Sequence, residues 1–126
     1  LETRISQKTA IFETYKQAFQ EIEEIQMHQA SEDERCNYWL SVMTLKENSK
    51  VKPIDIMEAL EKENIESRPV WKPMHLQPIF KKYDFFKENS ISVAEDIFCR
   101  GVCLPSDTKN TSEDMDKIIK IIKDLF

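Results

Sequence analysis

The sequence SVAEDIFCRGVCLPS at residues 92–106 contains a helix start, a helix stop and a short strand, and this order decides the fold. Ser92 followed by Glu95 three residues later is a capping box, which predicts the first turn of a helix. Gly101, the only glycine of the chain, is predicted to adopt the left-handed conformation that ends the helix. Residues 102–104 are apolar and predict a strand that Pro105 stops. A helix therefore leads directly into a strand.

The segments before this stretch alternate between helix and strand. Apolar residues at helical spacing, with no proline or glycine between them, predict an amphipathic helix over residues 1–24. The polar run at residues 26–35 predicts a loop. The aromatic and β-branched residues at 37–45 predict a strand. Pro53 stands where a first helical turn tolerates proline, and it begins a helix that is predicted to end near Asn64.

Two further elements and one irregular segment complete the chain. Residues 65–71 predict a short strand, because Pro69 holds the residue before it in an extended conformation. The proline-containing segment 71–78 predicts an ordered loop. Thr111 or Ser112 opens the last helix. The fold class is therefore α/β (α+β), with a small sheet packed with helices in one domain over residues 1–126.

Composition excludes several functions. The chain has 126 residues, of which 40% are hydrophobic and 33% charged, with a formal net charge of −5. The acidic balance argues against a nucleic-acid partner, and no apolar run approaches the length of a membrane span. An odd number of cysteines, three, suits reduced thiols in the cytoplasm. With one glycine, the chain has no glycine-rich phosphate loop.

The isolated polar residues do not form a recognisable catalytic or metal motif. Cys99 and Cys103 are separated by Gly101 and have no supporting Cys or His pair, so we expect buried or half-buried thiols and no metal site. No cysteine has an obvious histidine and acid partner, and no serine lies in a nucleophile elbow. His28 stands alone in a polar segment and is predicted to be exposed to solvent.

The proline-stiffened segment 68–78 differs from the rest, because it places Arg68, Trp71 and His75 close together in sequence. Arginine binds phosphate or carboxylate with a planar fork, tryptophan covers an apolar ring, and histidine exchanges hydrogen bonds near neutral pH. This set fits a nucleotide sugar or another anionic ligand. The alternative is a structural loop, with Trp71 in the core and Arg68 in a surface ion pair. The residues alone leave both open.

A resemblance to a known family is carried by four motifs in order: NYWL at 37–40, residues 65–68, WKPMHLQP at 71–78 and VAEDIFCRGVCLPS at 93–106. The chain resembles the C-terminal domain of the pyridoxal-phosphate-dependent nucleotide-sugar aminotransferases, the DegT/DnrJ/EryC1/StrS family. It looks most like the branch that aminates C4 of a UDP-linked 4-keto-6-deoxy sugar, as in bacillosamine-type pathways.

The resemblance implies the small domain of a fold-type-I aminotransferase. The family's large domain carries the Schiff-base lysine, the acid that pairs with the pyridine nitrogen and the phosphate cup, and its active sites lie at a homodimer interface. Lysines such as Lys46, Lys72, Lys81 and Lys82 match no Schiff-base motif. We therefore expect the large domain to be absent from this chain, no catalytic residue here, and pyridoxal phosphate bound by the full-length parent and not by this chain.

The resemblance also implies roles for the segment at 68–75. Arg68, Trp71 and His75 occupy the part that lines the substrate mouth, and we expect Arg68 and His75 to contact the sugar or its diphosphate. Trp71 is a pocket wall or a core residue, and Trp39 is expected to be structural within a strand. The parent would transfer an amino group from glutamate to a keto sugar for surface glycan or polysaccharide synthesis. The alternative is a non-catalytic binding or dimerisation module from a truncated or split gene.

Overall fold

Four α-helices and four β-strands form the fold of the computed structural model, which describes residues 1–31, 33–87 and 92–126. The elements in chain order are α1 (Glu2–Phe19), β1 (Ile25–Met27), β2 (Ser41–Leu45), α2 (Pro53–Lys62), β3 (Arg68–Pro69), α3 (Val93–Arg100), β4 (Gly101–Leu104) and α4 (Ser112–Lys123). Two short 3₁₀ turns, Met74–Leu76 and Pro78–Phe80, lie between β3 and α3.

The strands form one antiparallel sheet in the order β1-β2-β4-β3. Strand β4 is central: Val102 lies opposite Met43 of β2, and Cys103 lies opposite Arg68 of β3. All four residues of β4 are buried. The small sheet packed with helices confirms the predicted α+β fold class.

The core lies where α1, α2 and α4 pack together and against β2 and β4. Its fully buried side chains come from all of these elements: Tyr15, Phe19, Met43, Ile56, Leu60, Val102, Leu104 and Ile122. Burying one large aliphatic or aromatic side chain contributes about 1.5–3 kcal/mol to folding. The helical stripes predicted from the sequence therefore supply most of the core.

The N-terminal boundaries differ from the prediction. Helix α1 ends at Phe19 instead of residue 24, and the predicted loop at 26–35 begins with edge strand β1, in which Ile25 pairs with Leu45. Strand β2 begins at Ser41 instead of residue 37. Tyr38 has a φ of 44°, a left-handed conformation that cannot continue a strand.

Strand β3 is shorter than predicted and contains only Arg68 and Pro69. Pro69 has no amide hydrogen to donate to a ladder, so proline is confined to sheet edges such as this one. The next residues fold into the two 3₁₀ turns, which agrees with the predicted absence of a regular helix or central strand at 71–78.

Gly101 ends α3, as predicted, but the predicted left-handed conformation is wrong. Its φ is −99° and its ψ is 149°, which is extended backbone open to any residue. The reason for glycine is space, because an added Cβ would lie 2.4 Å from the Ile97 carbonyl oxygen and 2.6 Å from Val70 Cγ2. Helix α3 and the segment after β3 can approach this position only if residue 101 has no side chain.

We predict that Gly101→Ala destabilises the fold by about 1–3 kcal/mol, the usual cost of forcing a methyl group into a packed site. The free energy of unfolding should be measured by urea denaturation. Cys99→Ala, at an exposed position on the helix that Gly101 ends, is the matched control and should change stability little. Wild-type stability in Gly101→Ala would show that the contact is not tight.

Helix α1 holds the turn that joins β4 to α4. The buried Tyr15 hydroxyl donates a hydrogen bond to the Pro105 carbonyl oxygen at 2.7 Å, and burial raises the pKa of this phenol. Lys8 lies two turns earlier on the helix, and its Nζ donates to the Ser106 carbonyl oxygen. The turn at residues 105–108 is thus fixed by side chains about a hundred positions away in the chain.

Removing the Tyr15 hydroxyl should leave the half-buried Pro105 carbonyl without its donor. We predict that Tyr15→Phe lowers the free energy of unfolding by about 1 kcal/mol, typical of one lost hydrogen bond. Tyr83→Phe is the control, because Tyr83 is 61% exposed. Equal stabilities of the two variants in urea would contradict the role of the bond.

Candidate functional site

A cleft of about 800 Å³ lies between residues 63–71 on one side and residues 105–110 with the start of α4 on the other. Cys103 and Leu104 of the central strand contribute to its lining. The volume falls within the range of small-molecule sites, about 300–1,000 Å³. The cleft is assembled from segments that are distant in sequence and meet because β3 pairs with β4.

Arg68 and Trp71 both line this cleft. The Arg68 side chain is 72% exposed and its Nη2 lies 2.6 Å from Glu66 Oε1. Exposed ion pairs of this kind contribute about 0–1 kcal/mol, so the guanidinium can exchange its partner for a ligand. The surface ion pair predicted for Arg68 in the structural alternative is present, and it is compatible with binding.

The indole of Trp71 is 60% exposed, so the alternative that placed it in the core is wrong. Its ring lies against that of Trp39, with centroids 5.4 Å apart. Trp39 precedes β2 and is itself largely exposed, so the expectation that it is structural within a strand is also wrong. The two indoles therefore form an aromatic pair that is exposed to solvent.

His75 lies outside the cleft lining, in the first 3₁₀ turn. Its Nε2 lies 2.6 Å from Glu95 Oε1 of α3, and its ring stacks on Phe85 with centroids 3.6 Å apart. Ser92 Oγ accepts from the Glu95 amide, but the Glu95 carboxylate contacts His75, so only half of the predicted capping box is formed. The structure therefore brings Arg68 and Trp71 together and places His75 in a separate cluster.

Several lining residues were not identified from the sequence. Lys117 of α4 lies 2.9 Å from Glu63, and hydrogen bonding from Lys117 lowers the pKa of that carboxyl. Asn110 Nδ2 and Ser67 Oγ are buried and have no hydrogen-bond partner among the described residues. No local pattern marks these positions, because the cleft depends on the non-local pairing of β3 with β4.

The three cysteines differ in their exposure to solvent. Cys103 is buried, and burial raises the pKa of its thiol, which disfavours the nucleophilic thiolate. Cys36 is exposed, and Cys99 is exposed as well, so the prediction that Cys99 is buried or half-buried is wrong. Within residues 1–31, 33–87 and 92–126, no group of three metal-ligating side chains is found, and no helix there has the length and apolarity to cross a bilayer.

His28 is half-buried, which contradicts its predicted exposure. Its Nε2 lies 3.0 Å from Thr44 Oγ1, on the strand next to β1. Burial, and then the charge of Arg100, lowers the pKa of His28. Arg100 is itself held by Asp96 on the same helix and donates to the Leu45 carbonyl oxygen.

This environment predicts a pH-dependent stability. Because the folded state binds the His28 proton more weakly than the unfolded chain, whose histidine pKa is about 6.5, stability should fall as pH drops below that value. His28→Gln should reduce the loss between pH 7.5 and pH 5, measured by urea denaturation at each pH. The same pH dependence in wild type and variant would contradict the assignment.

The fold matches solved aminotransferases. The crystal structure of a DegT DnrJ EryC1 StrS aminotransferase from Brucella abortus superposes with a TM-score of 0.81 and 22% identity, over 98% of this chain and 31% of that chain. At this identity the likeness shows the fold alone. The described sheet and helices are thus the fold of one part of a fold-type-I aminotransferase.

The family follows from the sequence comparison. The model of the DegT/DnrJ/EryC1/StrS aminotransferase family matches residues 1–123, and the chain belongs to that family. EpsN of Bacillus subtilis (strain 168), named as a pyridoxal phosphate-dependent aminotransferase, is 36% identical over 127 residues, covering 100% of this chain and 32% of its own length. GDP-perosamine synthase of Escherichia coli O157:H7 is 28% identical over 123 residues, covering 97% and 31%. The chain spans about a third of the curated relatives it matches.

Proposed function

We propose that this chain is the C-terminal small domain of a pyridoxal-phosphate-dependent aminotransferase that acts on a nucleotide-linked keto sugar. The observation that carries the proposal is the family match over residues 1–123. The similarity to a GDP-perosamine synthase supports a nucleotide-linked substrate. The resemblance of the segment at 68–78 favours a UDP-linked 4-keto-6-deoxy sugar with glutamate as amino donor.

The described residues do not fit pyridoxal phosphate. The cofactor needs a lysine amine for its Schiff base and a cradle for its phosphate, but Lys46, Lys72, Lys81 and Lys82 are exposed on the surface. Lys117, the lysine that lines the cleft, is paired with Glu63. We therefore assign the cofactor to the large domain of the parent, and assign no catalytic residue to this chain.

In the parent, Arg68 and Trp71 are proposed to bind substrate directly from the cleft. His75, held by Glu95 and Phe85, is proposed to contact the substrate from the neighbouring 3₁₀ turn. The parent is further proposed to be a cytoplasmic homodimer whose product enters surface glycan or polysaccharide synthesis. The odd number of cysteines and the family resemblance support these assignments.

The direct test is to express the full-length protein and assay it with glutamate and UDP-linked or GDP-linked 4-keto-6-deoxy hexoses. We expect glutamate-dependent formation of the amino sugar, detected by mass spectrometry. Absence of amino-sugar formation from every nucleotide-linked keto sugar, in protein that binds pyridoxal phosphate, would overturn the proposed substrate class.

Variants of the full-length protein test the site residues. We predict that Arg68→Ala and His75→Ala each weaken nucleotide-sugar binding by roughly 1.5–3 kcal/mol, the contribution of one charged hydrogen bond. Arg35→Ala is the control, because Arg35 is an equally exposed arginine paired with Glu2. Substrate affinity and turnover that stay unchanged in both variants would contradict the assignment.

A binding or dimerisation module is the second candidate, and exposed apolar side chains favour it. Met74, Ile79 and Phe86 are each more than 60% exposed and lie within one segment. Apolar side chains concentrated in this way mark a contact surface. The same side chains would pack against the large domain in an aminotransferase, so the assay of the full-length protein separates the two candidates.

A further inference from the structure

We infer that the cleft between residues 63–71 and 105–110 binds the nucleoside part of the substrate, with Arg68 at its rim contacting the diphosphate. The inference rests on the proposed function and adds to it which part of the substrate this chain receives. It also implies that the 126-residue chain binds a nucleoside diphosphate without the rest of the enzyme.

The first argument is that the substrate has a part that reacts at the cofactor and a part that does not react. The reacting keto carbon must meet the cofactor, and the described residues of this chain do not fit that cofactor. The open cleft that residues of this chain line is therefore suited to a part of the substrate that does not react. Binding energy from such remote parts is what an enzyme uses to orient the reacting carbon.

The second argument is charge. The lining includes four carboxylates, Glu63, Glu66, Asp107 and Asp114, against two cations, Arg68 and Lys117. An excess of negative charge disfavours a diphosphate inside the cleft. A nucleoside is uncharged, and its ribose hydroxyls donate hydrogen bonds that carboxylates accept.

The third argument is the chemistry of the walls. Trp71 presents an exposed indole, and stacking of a base on such a ring contributes about 1–3 kcal/mol. The amide nitrogen of Asn110 and the hydroxyl of Ser67 have no partner in the described part of the chain. A modest side-chain rotation would offer both donors to the carbonyl oxygens of a base, and would relieve the cost of burying them unpaired.

Arg68 is placed to take the phosphates. It lies on edge strand β3 opposite Cys103, which lines the cleft, and its guanidinium is largely exposed. Its partner Glu66 is two residues away and equally exposed. A diphosphate that extends out of the cleft at this rim can take the place of the Glu66 carboxylate on the Arg68 guanidinium. It can then accept two hydrogen bonds from the guanidinium, and such a bidentate contact is stronger than a neutral hydrogen bond.

The test is a titration of the 126-residue chain. In Trp39→Phe, Trp71 is the remaining indole, so its fluorescence reports on the cleft, and calorimetry on the unmodified chain gives an independent affinity. UDP, GDP, uridine, glucose and inorganic pyrophosphate are the probes. We expect UDP or GDP to bind and change Trp71 fluorescence, uridine to bind more weakly, and glucose and pyrophosphate to bind least.

Variants separate the two parts of the site. Arg68→Ala should weaken the binding of the nucleoside diphosphate by about tenfold and leave the affinity for uridine unchanged. Asn110→Ala should weaken the binding of both. Arg35→Ala, the matched exposed arginine, should bind as wild type does. Circular dichroism should show that each variant is folded.

Three results would overturn the inference: pyrophosphate binding as tightly as UDP, loss of uridine binding in Arg68→Ala, or no nucleotide binding by the folded chain. If the last result came with amino-sugar formation by the full-length protein, the proposed function would stand and the cleft assignment would fail. If the chain bound nucleotides but the full-length protein transaminated no nucleotide sugar, the cleft assignment would stand and the proposed function would fail.

Discussion

The close approach of Gly101 to the Ile97 carbonyl and Val70 is the constraint on which the rest of the structure depends. It lets α3 pass into β4 with no linker, so β4 enters the centre of the sheet with all its residues buried. The same contact brings the segment after β3 against the end of α3. Arg68 and Trp71 reach the cleft because this segment is held there.

The opposite wall of the cleft depends on α1. Tyr15 and Lys8 hold the carbonyl oxygens of Pro105 and Ser106, and this turn leads into α4 through the complete capping box of Thr111 and Asp114. The cleft is therefore bounded by two segments fixed by different parts of the fold. Such support favours a preformed site, which lowers the entropy lost when a ligand binds.

The sequence was sufficient to predict the helices and the fold class, because amphipathic stripes and caps such as Thr111 are local features. The ends of the strands were not predictable, because they depend on the left-handed conformation of Tyr38 and on pairing between distant segments. The reason for Gly101 was missed for the same cause, since its neighbours Ile97 and Val70 come from two elements. Arg68 and Trp71 were found by their chemistry, whereas Asn110 and Lys117 join them only through the fold.

We propose that this member of the DegT/DnrJ/EryC1/StrS aminotransferase family contributes a substrate-binding wall and not the cofactor site. A crystal structure of the full-length protein with a bound nucleotide sugar is the decisive measurement. We expect the base to lie against Trp71 and the diphosphate to lie within hydrogen-bonding distance of Arg68. A bound nucleotide sugar with both side chains covered by the protein's own large domain would contradict it.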